Sequence, residues 1–231
     1  MRTVSAARQI KTLIKIREIM KAVIFDLDGV LVTTDECHYK AWKKLADEER
    51  IYFDRDINSR LRGVSRMESL DIILEKSDKI YTQEQKQELA ERKNGYYRKL
   101  IGGLTEKDVL SGVKENLTEL KNAGVKIAVG SSSKNTPIIL EKTGLIRYFD
   151  AVADGNEIKN SKPDPEVFLK AAEKLGVKPC DCLVVEDADA GIEAGKRAGM
   201  KTLAVGAANG GDYKFHDISS VNIEKDVLNL I

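Results

Sequence analysis

Two aspartates that follow a short apolar run are the residues of this sequence best placed to do chemistry. The run Ala22 to Leu27 predicts a strand that is buried on both faces, as in a parallel sheet. Asp26 falls at its carboxyl end, and Asp28 follows where Gly29 permits a sharp turn. Two carboxylates buried this close together need compensation, which a divalent cation would provide. A solvated Asp-x-Asp-Gly turn is the alternative interpretation.

A serine-rich segment follows a second apolar run. Residues 131–135 (SSSKN) come after the run 126–130 and precede a predicted helix with Pro137 in its first turn. Hydroxyls and free backbone N–H groups at such a position can bind phosphate oxygens. An ordinary Ser or Asn helix cap would have the same sequence.

A lysine between prolines and a pair of acids complete the set of polar segments. Pro163 and Pro165 stiffen the backbone beside Lys162, whose fixed ammonium could neutralise a phosphoryl group. Glu186 and Asp187 directly follow an apolar run, and carboxylate oxygens are the ligands that Mg²⁺ prefers. A solvent-facing lysine and two acids at the start of a helix are the alternatives.

Apolar runs alternate with helical patterns along most of the chain. Strands separated by single helices form parallel βαβ units, so the predicted fold class is α/β, a Rossmann-like doubly wound parallel sheet. Asp164 is predicted to cap a helix that Pro165 begins. The five predicted strands are 22–27, 126–130, 150–153, 182–185 and 202–205.

Residues 35–105 interrupt this alternation with helical patterns alone. Ser65 and Glu68 form a capping box at the start of one of these helices. The sequence therefore predicts a helical cap inserted into a discontinuous core, with the two connections side by side as a hinge. The predicted domains are a basic N-terminal extension at 1–19, an α/β core at 20–34 and 106–231, and a helical cap at 35–105.

Charge and composition narrow the possible partners. The 231 residues carry a net charge of +1, so no overall field selects nucleic acid or an anionic membrane. No apolar run is long enough to span a bilayer. Residues 1–19 carry five basic side chains against Glu18, a net charge of +4. They could be a targeting or membrane-surface segment, but we favour a tail ahead of a domain that starts at Met20.

The number and spacing of the cysteines indicate the redox state of the cellular compartment. Cys37, Cys180 and Cys182 are odd in number, and two of them are only one residue apart. We expect free, buried thiols in a reducing compartment, and therefore a cytoplasmic protein. A monomer fits a hinged cap.

The four polar segments, in this order and at one end of one sheet, resemble the motifs of the haloacid dehalogenase superfamily. The resemblance covers Met20 to about Gly206. It implies a phosphoryl-transfer enzyme in which Asp26 is the nucleophile that forms a phospho-aspartate. Asp28 would be the general acid/base, and its backbone carbonyl would also bind Mg²⁺.

The remaining residues of the motifs receive roles by the same resemblance. Ser131, Ser132 and Lys162 would hold the transferring phosphate. Glu186 and Asp187 would complete the Mg²⁺ site together with Asp26 and Asp28.

Within the superfamily, the predicted cap resembles that of the β-phosphoglucomutase family. The segments that carry the resemblance are 34–42, 62–70, 92–94 and 132–135. The resemblance implies an isomerase that interconverts β-D-glucose 1-phosphate and D-glucose 6-phosphate. The reaction would pass through a β-glucose 1,6-bisphosphate intermediate, and glucose 1,6-bisphosphate would act as the activating phosphoryl donor.

Such a reaction needs a second phosphate site and a hinge. By resemblance, the distal phosphate and the sugar are bound by Arg66, Ser133, Lys134 and Asn135. His38 would help to set Asp28 in its acting position, and Thr34 would lie in the hinge. Two positions depart from the family pattern: Thr33 stands where Asp is usual, and Arg62 stands where Lys is familiar.

Two other functions remain open. A Mg-dependent sugar-phosphate phosphatase of the same superfamily would share every core motif, and only the cap residues argue against it. A catalytically silent binding module on the same fold would be expected to lack at least one of the core aspartates, and Asp26, Asp28 and Asp187 are all present.

Overall fold

The protein is built on a parallel sheet of six strands. The computed structural model describes residues 20–61 and 64–228. The strand order is β3-β2-β1-β4-β5-β6, so the first strand lies in the middle of the sheet. The strands are β1 Ala22–Phe25, β2 Lys126–Gly130, β3 Ala151–Ala153, β4 Cys182–Glu186, β5 Lys201–Ala204 and β6 Tyr213–Lys214.

Eight α-helices accompany the sheet in the described residues. Four of them lie within the predicted cap range: α1 Asp35–Glu49, α2 Arg55–Ser59, α3 Arg66–Leu74 and α4 Gln83–Ile101. The other four belong to the sheet region: α5 Val113–Asn122, α6 Thr136–Lys142, α7 Glu166–Leu175 and α8 Asp189–Arg197. Single turns of 3₁₀ or π helix lie at Glu106–Asp108, Leu145–Tyr148, Pro179–Asp181, Ile218–Ser220 and Ile223–Val227.

The central strands are buried on both faces, which is why their sequences are continuous apolar runs. Alternate side chains of β1 point to opposite layers. Val23 and Phe25 pack in one core with Leu117 of α5, whereas Ile24 packs on the other face with Phe168 of α7. The sheet is therefore covered by helices on both sides, as the sequence predicted.

The helices of residues 35–105 have a core of their own. Trp42 of α1, Ile73 of α3 and Leu89 of α4 are buried in one cluster that is separate from the sheet cores. The predicted capping box is confirmed at α3, where the Ser65 hydroxyl accepts from the Glu68 N–H and the Glu68 carboxylate accepts from the Ser65 N–H. The limits of core and cap stay predictions.

The two chain segments that connect these helices to the sheet region run antiparallel and are joined to each other. Val32 forms an isolated antiparallel bridge with Val109. The N–H of Leu110 donates to the carbonyl of Leu31 at 3.0 Å. The outgoing and returning segments are thus held side by side at the foot of the predicted cap.

One local prediction was wrong, and one strand was missed. Helix α7 begins at Glu166, and Pro165 rather than Asp164 is its N-cap residue. Asp164 instead accepts a hydrogen bond from the Glu166 N–H at 2.9 Å, an Asx-type contact two residues ahead. Strand β6 was not predicted, because two residues are too short for a periodic pattern.

Other sequence-based expectations have mixed outcomes. Cys180 is exposed and Cys37 is half-buried, so the expectation of buried thiols holds only for Cys182, although all three are free. Among the described residues, no helix is both long and apolar enough to cross a membrane. The basic extension at residues 1–19 and Arg62 lie outside the described residues.

Candidate active site

Three carboxylates meet at the carboxyl edge of two neighbouring strands. Strands β1 and β4 pair with Phe25 opposite Val185, so Asp26 and Glu186 leave the sheet side by side. One carboxylate oxygen from each of Asp26, Glu186 and Asp187 lies within 4.8 Å of the others. The structure thus brings together three side chains that the sequence predicted as ligands of one ion.

Lys162 reaches into this acidic cluster. Its Nζ lies 2.5 Å from Asp26 Oδ1 and 2.6 Å from Glu186 Oε1, and it also lies 4.6 Å from the centre of the Phe168 ring. Burial disfavours the charged amine, but Asp26 and Glu186 outweigh that effect and raise the pKa of Lys162. The lysine is therefore a fixed positive charge beside the predicted nucleophile.

One ammonium does not balance three carboxylates. Burial raises the pKa of Asp187 to about 8, and the charges of Asp26 and Glu186 act in the same direction. Burial also raises the pKa of Glu186, although its Oε2 accepts from the N–H groups of Asp187 at 2.8 Å and Ala188 at 2.9 Å. A divalent cation would relieve this repulsion, and every donor here is an oxygen, as Mg²⁺ prefers.

Two glycines make room for these carboxylates. A Cβ on Gly29 would lie 2.0 Å from Asp187 Oδ2, and Gly29 has a φ of +80°. A Cβ on Gly191 would lie 1.8 Å from Glu186 Oε1. The space around the acidic oxygens therefore depends on the absence of side chains, as close approach to a ligand does elsewhere. The residues fit the predicted Mg²⁺ site.

Asp28 lies apart from the cluster in a hydrogen-bonded pocket. Burial raises its pKa to about 7, the hydrogen bond from Thr34 lowers it, and the charge of Asp26 raises it. Thr34 Oγ1 donates to Asp28 Oδ1 and accepts from the Tyr97 hydroxyl at 3.0 Å. A carboxyl group with a pKa near neutrality is suited to donating and accepting a proton.

The Thr34 side chain contacts Asp28 rather than capping helix α1. It is the N-cap residue of α1, yet its side chain makes no capping hydrogen bond. A capping hydroxyl contributes about 1 kcal/mol to a helix. The Thr34 hydroxyl bonds to Asp28 instead. The predicted hinge residue is thereby connected directly to the predicted general acid/base.

His38 is half-buried and does not bond to Asp28 in the described structure. Its Nδ1 lies 2.9 Å from Lys93 Nζ, and its ring packs on Tyr97 at a centroid distance of 4.1 Å. Burial lowers the pKa of His38 well below its ordinary value, and the charge of Lys93 adds to this. The ring of His38 is connected to Asp28 through Tyr97 and Thr34.

Sequence reasoning assigned no role to Lys93 and Tyr97. Lys93 is only 3% exposed, and its Nζ also lies 4.5 Å from the centre of the Trp42 ring. A signal was present: Leu89, Lys93 and Tyr97 recur every four residues along α4 and share its buried face. A lysine inside such a stripe indicates a buried amine.

The predicted phosphate-binding serines lie after β2. Ser131 is buried, and its Oγ accepts from the Ser133 N–H at 3.2 Å. Ser132 Oγ is buried without a hydrogen-bond partner among the residues that the structure describes. A buried hydroxyl without a partner is costly, and a phosphate oxygen would satisfy it.

The predicted residues of the distal phosphate site are not gathered around one point by direct contacts. Arg66 Nη1 lies 3.1 Å from Glu91 Oε1 of α4. Asn135 Nδ2 donates to Asn94 Oδ1, also of α4, at 3.1 Å. Lys134 is exposed. Helix α4 is therefore the element that both Arg66 and Asn135 contact.

Comparison with known proteins gives a consistent set of relatives. A model of the haloacid dehalogenase-like hydrolases matches residues 20–199. A β-phosphoglucomutase of Bacillus subtilis is 47% identical over 210 residues, which cover 89% of this chain and 93% of the relative. A phosphorylated carbohydrates phosphatase of Thermotoga maritima is 34% identical over 187 residues, which cover 80% of this chain and 84% of the relative.

A solved structure matches as well. The crystal structure of a β-phosphoglucomutase from Clostridium difficile superposes with a TM-score of 0.81 at 41% sequence identity. The match covers 89% of this chain and 94% of that chain.

Proposed function

We infer that this chain, which belongs to the haloacid dehalogenase-like hydrolase family, is a β-phosphoglucomutase. It interconverts β-D-glucose 1-phosphate and D-glucose 6-phosphate through a phospho-aspartate enzyme and a β-glucose 1,6-bisphosphate intermediate. The inference rests on the 47% identity to the Bacillus subtilis enzyme. The cluster of Asp26, Glu186, Asp187 and Lys162 supplies the chemistry that such a reaction needs.

The first transfer uses Asp26 and Asp28. The phosphorylated carboxylate of Asp26 donates its phosphoryl group to the 6-hydroxyl of β-glucose 1-phosphate, while Asp28 takes the hydroxyl proton. Lys162 offsets negative charge on the phosphoryl oxygens and holds the aspartate in line. Mg²⁺, held by Asp26, Glu186, Asp187 and the backbone carbonyl of Asp28, would offset further charge on the same oxygens.

The second transfer reverses these roles. The bisphosphate turns round, and the carboxylate of Asp26 attacks the phosphorus at C1. The bond from that phosphorus to the C1 oxygen breaks, and Asp28 returns its proton to this oxygen. The product is glucose 6-phosphate and a phosphorylated Asp26. Ser131 and Ser132 bind the transferring group in both steps, and the unpartnered Ser132 hydroxyl supports this assignment.

The phosphate that does not react needs its own site. We assign it to Arg66 with Ser133, Lys134 and Asn135, because an arginine fork and a loop of polar donors suit a phosphate. Thr34 is the proposed hinge residue, and closure of the cap would exclude water from the phospho-aspartate. Free glucose 1,6-bisphosphate would phosphorylate Asp26 at the outset and so activate the enzyme.

The proposed function also includes a compartment, an oligomeric state and a class of partner. We propose a cytoplasmic monomer that acts on a small-molecule sugar phosphate, without nucleic acid or membrane partners. The net charge of +1 supports this, because a protein that binds nucleic acid or an anionic membrane through its overall charge would be more basic.

A sugar-phosphate phosphatase of the same family is the second candidate. The 34% identity to the Thermotoga maritima phosphatase favours it, since that relative is similar over most of the same chain. The two functions differ only in whether a hydroxyl of the sugar or a water molecule accepts the phosphoryl group. The higher identity to the Bacillus subtilis mutase is the basis for preferring the mutase, and the cap residues His38 and Arg66 support it.

One assay separates the two candidates. The full chain is incubated with β-glucose 1-phosphate, Mg²⁺ and a trace of glucose 1,6-bisphosphate, and glucose 6-phosphate and inorganic phosphate are measured in parallel. Glucose 6-phosphate should accumulate without stoichiometric release of phosphate. Release of phosphate without glucose 6-phosphate would sink the mutase proposal. Asp26→Ala should abolish turnover, whereas Asp47→Ala on the exposed side of α1 should not.

A further inference from the structure

A hydrogen bond between two asparagine side chains crosses from the cap helices to the sheet region. Asn135 Nδ2 donates to Asn94 Oδ1 at 3.1 Å. Asn135 is the N-cap residue of α6, in the loop after β2, and Asn94 lies in α4. The bond therefore connects a helix of the predicted cap to the loop that carries the predicted phosphate-binding residues, and it is a second connection besides the Val32–Val109 bridge.

The bond fixes the orientation of the Asn135 amide. Asn135 is 6% exposed, so its side chain has little freedom to rotate. The nitrogen of a side-chain amide carries two hydrogens, and Asn94 uses one of them. The other has no acceptor among residues 20–61 and 64–228, and it is therefore available to a phosphate oxygen. The backbone N–H of Asn135 donates to Ser133 Oγ at 3.2 Å, so the two loop residues are also held relative to each other.

The same face of α4 holds the arginine of the proposed site. Glu91, which pairs with Arg66, precedes Asn94 by three residues, and side chains at this spacing are neighbours on a helix. Helix α4 thus contacts two residues of the proposed phosphate site, Arg66 from the predicted cap and Asn135 from the loop after β2. Asn94 is where that helix meets the loop.

We propose that Asn94 is a positioning residue for the second phosphate of the sugar substrate, acting through Asn135. Its carbonyl holds the Asn135 amide with a free N–H toward the phosphate, and it does so only when the cap lies against the core loop. The inference rests on the proposed mutase function and adds to it a residue that sets phosphate affinity. Asn94 itself does not contact the substrate.

The Asn94→Ala variant tests this role by steady-state kinetics. One hydrogen bond lost indirectly should raise KM for β-glucose 1-phosphate by about 3- to 10-fold. Hydrolysis of p-nitrophenyl phosphate, which has no second phosphate, should change less than about 2-fold. Asn94→Leu, which keeps the side-chain volume, should show the same pattern. Asn58→Ala in α2 is the matched control and should leave both activities unchanged.

A double-mutant cycle decides whether Asn94 acts through Asn135. In an Asn135→Ala background, Asn94→Ala should cause no further rise in KM, because its partner is already missing. An unchanged KM in both Asn94 variants would overturn the proposal, and so would additive losses in the double mutant. A wild-type enzyme that forms no glucose 6-phosphate would instead refute the mutase function itself.

Discussion

The buried amine of Lys93 should lower the stability of the folded protein in a pH-dependent way. Burial lowers the pKa of Lys93 to about 7, the charge of Arg66 acts in the same direction, and the charge of Asp28 opposes both. His38 and the rings of Trp42 and Tyr97 surround the amine. Replacement by methionine removes the charge and keeps an unbranched side chain that is one heavy atom shorter.

The magnitude follows from the pKa. A fall from 10.5 to about 7 corresponds to about 5 kcal/mol between the two protonation states. Contact of the ammonium with the faces of Trp42 and Tyr97 favours the charged form, which offsets about 2 kcal/mol. About 3 kcal/mol of pH-dependent stability is left.

The sign is set by where the proton is lost first. As pH rises, folded Lys93 releases its proton before the same lysine in the unfolded chain does, so the wild type gains stability. The methionine variant has no such proton. The free energy of unfolding of Lys93→Met, relative to the wild type, should therefore fall by about 3 kcal/mol as pH rises from 7 toward 10.

Urea denaturation at several pH values between 6.5 and 9.5 measures this difference. Lys99→Met, which changes an exposed lysine of the same helix, is the control and should alter stability by less than about 0.5 kcal/mol. A Lys93→Met difference that stays constant across the range would refute the reasoning. It would mean that folded Lys93 keeps its proton like a lysine in water.

Three further substitutions test the site itself. Gly29→Ala places a methyl group against the Asp187 carboxylate and strains a φ of +80°. Mg²⁺-dependent activity should therefore fall at least about 10-fold, and the free energy of unfolding measured by urea denaturation should fall by about 1–3 kcal/mol. Thr34→Val removes the hydrogen bond that lowers the pKa of Asp28, so that pKa, taken from the pH dependence of kcat/KM, should rise above about 7; an unchanged profile would contradict the assignment. Arg66→Ala should weaken mutase turnover far more than hydrolysis of p-nitrophenyl phosphate, and equal losses would remove Arg66 from the distal site.

The edge of the sheet that carries the carboxylates could be predicted because Asp26, Glu186 and Asp187 all lie at the end of an apolar run. Parallel strands have their carboxyl ends on the same edge, so Asp26 and Glu186 had to converge once the strands were identified. The pairing of β1 with β4, which makes them immediate neighbours, is not written in any local pattern. It depends on the order in which distant strands assemble.

Residues that act through packing were harder to predict. Lysine is usually a surface residue. The burial of Lys93 depends on the packing of α4 against α1, which places Trp42 and His38 next to its amine. The Thr34 hydroxyl would ordinarily cap α1, and its turn toward Asp28 is a tertiary effect that overrides a local preference. Asn94 lies in a segment that carries the family resemblance, but its contact with Asn135 could not be predicted, because the two residues lie on different parts of the chain.

The Val32–Val109 bridge also bears on how such enzymes diversify. Because the outgoing and returning segments are already paired, a tight turn could replace everything between them without disturbing the pairing of β1 with its neighbours. Under the proposed function, the residues for phosphoryl transfer lie outside the part of the chain between these two segments, whereas Arg66 of the sugar-phosphate site lies within it. Selection could exchange one helical insert for another and obtain a new substrate while inheriting the same reaction.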